Sequence, residues 1–339
     1  IENLDYMEAV RFLAQRAGMQ VPENAGDDRT AQLRKRILEL NRDAARYFHR
    51  NLMSEAGRPG RAYLIGRGLT KSTITRFGIG YAGEGWDGLT TAMRQMGYTR
   101  EELVAAHLAN ESQKGGIYDV FRNRAIFPII DLRGNVIAFG GRNLGEQGPK
   151  YLNSSDTLVF KKSRNLFALN FAKNSDRSEL ILCEGYMDVV SMHQAGFTNA
   201  VATLGTALTE EQSRLIAQYT GEVVLSYDSD GPGQKATRRA TDLLEAAGVK
   251  IRVLSIPDAK DPDEYIKKFG AERFALLIEG SSSATDFAIN NLRRENDLAT
   301  AEGKVSFLKQ FAVLMADLPS PIEREVYLSK ICQELEVDK

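Results

Sequence analysis

Leu180-Ile-Leu-Cys-Glu-Gly-Tyr-Met-Asp-Val189 and Val223-Val-Leu-Ser-Tyr-Asp-Ser-Asp-Gly231 are the two stretches on which the fold of this chain turns. In each, a short apolar run stops near a carboxylate and a glycine follows. Such a run, bounded in that way, reads as a buried strand, and the glycine as the turn into a helix. Glu184, Asp228 and Asp230 then fall at the carboxyl ends of two strands of a parallel sheet, the edge at which open α/β sheets bind ligands. Three carboxylates converging there suit hard divalent cations, which take oxygen ligands. Magnesium-assisted chemistry on phosphates is what this spacing points to. Glu184 and Asp188 are four apart and share one side of a first turn if Gly185 opens a helix. A single acid at a strand end is more often an N-cap or turn residue, and Gly231-Pro-Gly233 supports a turn. The repetition after two separate strands is what favours a site.

Outward from these stretches, strands and helices alternate. Strand 180–183 leads to a helix at 186–195, and Ala200-Val-Ala-Thr-Leu204 to a helix at 209–219. Strand 222–227 leads to a helix at 233–247, and Ile251-Arg-Val-Leu-Ser-Ile256 is a fourth strand. The pattern predicts a parallel-sheet domain of about 90 residues. Beyond Tyr265 the chain reads as helix, broken at Gly270, Gly280 and Pro319–Pro321. Upstream, residues 5–19 read as an amphipathic helix ended by Gly18, and Pro22–Asp28 as a linker. A long helix follows at 29–54, broken by Gly57–Gly60, then short helices over 61–112. Ile117-Tyr-Asp-Val-Phe121, Ala125–Asp131 and Val136–Arg142 read as strands, with Arg133-Gly-Asn135 as the turn between the last two. The expected fold class is α/β and α+β in several subdomains: a mixed α+β amino-terminal part, a central α/β part with a mostly parallel sheet, and a helical carboxyl-terminal part.

The chain has 339 residues, enough for two or three domains, with 43% hydrophobic and 26% charged residues, an ordinary globular composition. No apolar run approaches the roughly 20 residues of a membrane span, and the start, Ile1-Glu-Asn-Leu-Asp5, lacks the regions of a signal peptide. Without an initiator methionine the chain is expected to be part of something longer. Two cysteines without a Cys-x-x-Cys and three histidines argue against a zinc site or a disulfide framework, and for a reducing cytoplasm. A net charge of −1 argues against strong indiscriminate nucleic-acid binding. From Lys114 to Arg164, however, nine Lys or Arg stand against four acids, a local +5. Other signals are set aside. Gly78-x-Gly-x-x-Gly83 has no preceding strand, and Gly231–Thr237 lacks P-loop spacing. His49, His107 and His193 are scattered, Cys183 reads as buried packing, and Trp86 as a local packing anchor.

Glu184-Gly-Tyr-Met-Asp188 followed by Asp228-x-Asp-Gly231 resembles the TOPRIM domain shared by topoisomerases and bacterial-type primases. Leu204–Thr209 and Lys260-Asp-Pro-Asp-Glu-Tyr265 resemble further primase segments, the second being the third acidic motif. Tyr63–Leu69, Phe121–Ile129, Gly140-Gly-Arg142 and Lys150-Tyr-Leu-Asn-Ser154 resemble the basic subdomain of DnaG-type primases. The likeness runs from about residue 30 to about residue 290.

The resemblance implies a DNA-dependent RNA polymerase that makes short primers on single-stranded DNA from ribonucleoside triphosphates, leaving an RNA–DNA hybrid. It implies that Glu184, Asp228 and Asp230 bind metal and catalyse, with Asp188, Asp261 and Asp263 in support. The ion would be Mg²⁺, with Mn²⁺ able to substitute and no zinc in this chain. Arg67, Arg122, Arg124, Arg142, Lys150 and Lys162 would hold triphosphate and template, Asn153 a ribose or base, and Tyr151 a stacked base. Residues 1–28 would be the tail of a zinc-binding module, 29–165 the basic subdomain, 166–280 the TOPRIM domain and 281–339 a helical subdomain. The helicase DnaB would be contacted through a further carboxyl-terminal domain outside this chain, and the core would be a monomer in the bacterial cytoplasm. A topoisomerase- or nuclease-like TOPRIM fragment, a phage or mobile-element primase, and a template-binding scaffold with a degenerate metal site are the alternatives.

Overall fold

The structure is a computed structural model, and it describes residues 10, 12–14, 16–17, 25–113, 115–227, 231–318 and 320–337. Most of the expected helix at 5–19, together with Lys114, Asp228 and Asp230, lies outside them. The side chains of 25–28 and 231–235 are likewise not described.

Helix α1 (Ala25–Met53) buries Ile37, Leu40, Ala44, Phe48 and Leu52, a stripe at three- and four-residue spacing. It takes in Ala25–Asp28, which read as linker. Gly57 lets the chain reverse, because a Cβ there would come within 2.2 Å of Asn51 O. Short helices α2 (Arg58–Gly66) and α3 (Lys71–Arg76) follow, then β1 (Gly80–Ala82). A Cβ at Gly80 would lie 2.5 Å from the Phe48 Cβ, so this glycine serves the close packing of β1 on α1. Helices α4 (Gly88–Gln95) and α5 (Arg100–Ala105) precede a hairpin of β2 (Ala109–Glu111) and β3 (Ile117–Asp119). Strands β4 (Arg124–Ile130), β5 (Val136–Asn143) and β6 (Tyr151–Asn153) complete an antiparallel sheet in the order β1-β4-β5-β6. Asp131 Oδ1 accepts from the backbone N–H groups of Arg133 and Asn135 and forms the expected turn.

After α6 (Leu169–Ala172) comes the alternating unit: β7 (Leu180–Cys183), α7 (Tyr186–Gln194), β8 (Ala200–Ala202), α8 (Glu210–Ala217), β9 (Glu222–Ser226), α9 (Gly231–Ala246) and β10 (Lys250–Val253). Helices α10 (Pro262–Phe269) and α11 (Ala271–Glu279) lead to β11 (Ser282–Ser283). The sheet order is β11-β10-β9-β7-β8, parallel except where β11 joins β10. Helices α12 (Ala284–Glu295), α13 (Ala301–Asp317) and α14 (Pro321–Leu335) close on a core of their own, built from Ile289, Phe307, Phe311, Met315, Ile331 and Leu335.

The two sheets share one apolar core. Phe127, Ile129 and Ala138 of the antiparallel sheet belong to the same buried cluster as Ile181, Cys183, Val189 and Ala200 of the parallel one. Tyr186 is the joint: its ring stacks on Phe127 at 5.5 Å and meets Phe167 edge-on at 4.7 Å. A Cβ on Gly140 would come 2.6 Å from that ring.

Candidate active site

Strands β7 and β9 are parallel neighbours with Cys183 opposite Ser226, so their carboxyl ends open side by side. Glu184 follows the first and is exposed; Tyr227 follows the second and is buried. Burial and then the Glu184 charge raise the Tyr227 phenol, and burial, Asp188 and Glu184 raise the Cys183 thiol. Negative potential is therefore concentrated at this edge. Gly185 caps α7, which carries Asp188 in its first turn. A Cβ on Gly185 would lie 2.9 Å from Asp188 Oδ2, so the carboxylate folds back over the helix start, where the dipole favours it.

Asp228 and Asp230 lie outside the described residues, between the end of β9 and the start of α9. Among the described residues no three His, Cys, Asp or Glu gather into a metal-holding group. The donor chemistry of the edge nonetheless fits a hard divalent ion, since an exposed carboxylate stands beside the strand end that leads to two more.

The third acidic motif does something different. Asp261 caps α10, accepting from Glu264 N at 2.8 Å. Asp263 is buried and accepts from Ser191 Oγ, from Lys267 Nζ at 2.7 Å, and from Arg67 Nη2.

The basic residues divide into groups. Arg142, at the end of β5, lies over the Tyr151 ring at 5.2 Å and near Tyr63 at 6.0 Å. Its Nε and Nη1, and Arg67 Nε, are buried without hydrogen-bond partners. A buried donor left unpaired costs about 1–3 kcal/mol, so three together fit an anionic oxygen ligand. Arg142, Tyr63 and Tyr151 thus form a cluster; burial and then Tyr63 raise the Tyr151 phenol, on which the charges of Arg142, Asp188 and Arg67 also act. Arg124 is buried and holds the loop before β6, donating to Gly141 O at 3.0 Å and Pro149 O at 3.1 Å. Lys150 is exposed and Lys162 half-buried beside His107, whose pKa is lowered by burial and then by Lys162.

Asn153 engages both ends of its amide within the fold. Its Nδ2 donates to Leu204 O at 2.7 Å and its Oδ1 accepts from Tyr186 Oη at 2.7 Å, tying β6 to the parallel sheet. Gly205 follows with φ +73°, and a Cβ there would lie 2.5 Å from Asn153 Nδ2. Gln194 makes a further tie, accepting from Thr70 N and donating to Gly68 O.

Trp86 is 64% exposed, and what its ring packs against is local and at the surface rather than core. Its loop is held through the backbone, Trp86 O accepting from Asp119 N, while the Asp119 carboxylate accepts from Leu89 N and Thr90 N at the start of α4. The indole meets Tyr118 at 5.8 Å and Arg122 at 4.2 Å. Sequence reasoning found Arg122 but missed this aromatic pair. The signal present was Glu84-Gly-Trp-Asp-Gly88, whose flanking glycines and acids suit an exposed loop tip better than a core.

The fold and site together define a class: a Toprim-type α/β unit, carboxylates at its strand ends, joined through one core to a basic antiparallel sheet. The family model "DNA primase catalytic core, N-terminal domain" matches residues 47–173, "Toprim-like" matches 181–266, and "DnaB-helicase binding domain of primase" matches 285–339. The DNA primase of Clostridium acetobutylicum is 42% identical over 333 residues, 97% of this chain and 55% of that protein. The chain thus spans about half the length of the curated relatives it matches. A DnaG primase catalytic domain bound to single-stranded DNA superposes with a TM-score of 0.74 at 35% identity, over 90% of this chain and 99% of that one. The RNA polymerase domain of Mycobacterium tuberculosis primase DnaG, in complex with a double-stranded DNA oligomer with a 6-nucleotide overhang, superposes at 0.79 and 31% identity, over 89% and 97%. The chain belongs to the family of bacterial DnaG-type primases. A segment matching a helicase-binding model lies inside this chain, at 285–339, where the sequence alone had not placed one.

Proposed function

We propose that this chain is the polymerising core of a primase, joining ribonucleotides on a single-stranded DNA template. The observation that carries the reading is the set of buried, partnerless guanidinium N–H groups of Arg67 and Arg142, the second lying over the Tyr151 ring. Arg67 and Arg142, with Lys150 and Lys162 at the rim, hold the triphosphate of the incoming nucleotide. Their buried donors lose little to water and orient the phosphates before reaction. Glu184, with Asp188 nearby and Asp228 and Asp230 by resemblance, holds divalent cations, Mg²⁺ or in its place Mn²⁺. Bound there, such ions strengthen a 3′-hydroxyl as nucleophile and neutralise the pyrophosphate that leaves. Trp86, Tyr118 and Arg122 offer the template a stacking face with a cation beside it. Arg124 acts indirectly, by shaping the Lys150 loop. Residues 285–339 contact the replicative helicase DnaB, a reading supported by the family match.

The test is template-dependent ribonucleotide incorporation on single-stranded DNA with Mg²⁺ or Mn²⁺, for the wild type and Asp228→Ala. Product from the wild type and none from the variant is expected. No wild-type product with either ion sinks the enzyme reading, full activity in the variant sinks the site, and nicking of supercoiled DNA favours a topoisomerase- or nuclease-like activity.

A further inference from the structure

A carboxylate that serves cations at the sheet edge keeps an oxygen turned toward them. Asp263 is 2% exposed, and both of its oxygens are taken. Each partner comes from a different element. Ser191 lies on α7, one turn beyond Asp188; Lys267 lies on α10, one turn beyond Asp263 itself; and Arg67 lies in the turn after α2, within the basic half. Two cations neutralise the buried charge and a hydroxyl completes its shell, which is the condition under which a buried carboxylate is tolerated. Arg67, for its part, commits Nη2 to Asp263 while its Nε stays buried and partnerless beside the Tyr151 cluster.

We infer that Asp263 is a positioning residue: it ties Arg67 to α7, fixing the triphosphate-binding guanidinium against the helix that carries Asp188, and it is not itself a cation ligand. This deepens the proposed function and rests on it for the roles of Arg67 and of the acidic edge. Asp261 beside it caps α10 through Oδ1, so the two aspartates of this motif differ: Asp263 has both oxygens taken and Asp261 one.

The experiment compares Asp263→Asn with wild type on the full chain in three ways. Mn²⁺ titrated into the chain without nucleotide, followed by the paramagnetic resonance signal of the free ion, is expected to give a dissociation constant within about twofold of wild type. Loss of a true ligand would weaken it by about tenfold or more, as Asp228→Ala is expected to do, and that result overturns the inference. Nucleotide KM should rise about tenfold while the Mn²⁺ concentration giving half-maximal rate stays put, because the loss is of phosphate placement. An unchanged KM overturns the positioning role. Melting should fall with Asp263→Asn, and adding Arg67→Gln should lower it by no more than about 2 °C further, the non-additivity of two residues in one contact. Additive losses overturn the tie. If Asp263→Asn does not fold, Arg67→Gln alone cuts the same tie from its half-exposed end: a melting drop with unaltered Mn²⁺ binding supports the inference, and no drop overturns it. The Mn²⁺ and melting measurements need no catalysis, so they decide the role of Asp263 even if the primase reading fails.

Discussion

At the scale of single residues, position along a strand was legible and partnership was not. Glu184 announced itself because an apolar run stops at it. Asp263 and Arg67 are 196 positions apart, and no local pattern links them. The same holds for Asn153, whose partners Tyr186 and Leu204 stand 33 and 51 positions along the chain. His193 was expected in the core or at the surface, and its consequence depends on which. It is buried against Phe77 and Phe171, Nε2 donating to Ala200 O, and burial pulls its pKa down to about 4. Between pH 6.5 and 4 the unfolded chain takes up a proton there that the folded chain refuses. Stability from this group is therefore full at neutral pH and falls as pH drops, by about 1.4 kcal/mol per unit at the steepest, ceasing to fall below pH 4. Urea unfolding of wild type and His193→Gln between pH 4 and 7 measures it; equal slopes in the two proteins would refute the assignment.

At the scale of elements, helix α7 and the loop before α4 behave in opposite ways. Seven of the nine residues of α7 are buried, including Tyr186, Val189, Val190 and Met192, and its polar side chains reach outward: Ser191 to Asp263 on α10, and Gln194 to Gly68 and Thr70 of the basic half. That helix was legible from its run of apolar residues after Gly185. Trp86 does pack locally, on Tyr118 and Arg122, but its exposure was not legible in the sequence, because a backbone held at Asp119 carries it outward. Trp86→Ala is expected to weaken binding of an oligothymidine by about 1–3 kcal/mol while changing unfolding free energy by less than about 0.5 kcal/mol. Fluorescence anisotropy and denaturant titration on the same variant separate the two effects, and a stability loss without a binding loss would return Trp86 to packing.

At the scale of the whole molecule, alternation of strands and helices gave the parallel sheet, whereas the union of the two sheets could not be read from either pattern. One buried cluster runs through both, while α12–α14 have a separate one. Residues of the two sheets are expected to exchange amide hydrogens with a common, high protection, and α13 and α14 to open at lower free energy. Hydrogen exchange followed by mass spectrometry reports this directly; earlier loss of protection in the antiparallel sheet would contradict a shared core. Helix α12 is tied to the rest by Ala284 and Phe287, which pack on the core of the parallel sheet, whereas α13 and α14 add polar contacts: Ser283 Oγ and Tyr327 Oη lie 3.1 Å apart, and Arg238 and Asp317 form an exposed pair at 3.8 Å.

The seat of the Tyr186 ring over Gly140 carries a consequence for how such a chain can change over generations. A methyl group at 140 and a phenol at 186 cannot occupy the same space, so the Gly-Gly-Arg and Glu-Gly-Tyr-Met-Asp motifs, distant in sequence, are one unit of inheritance. Gly140→Ala is expected to lose stability that Gly140→Ala with Tyr186→Leu partly regains. Drift at one motif is open only to lineages in which the other has already given way.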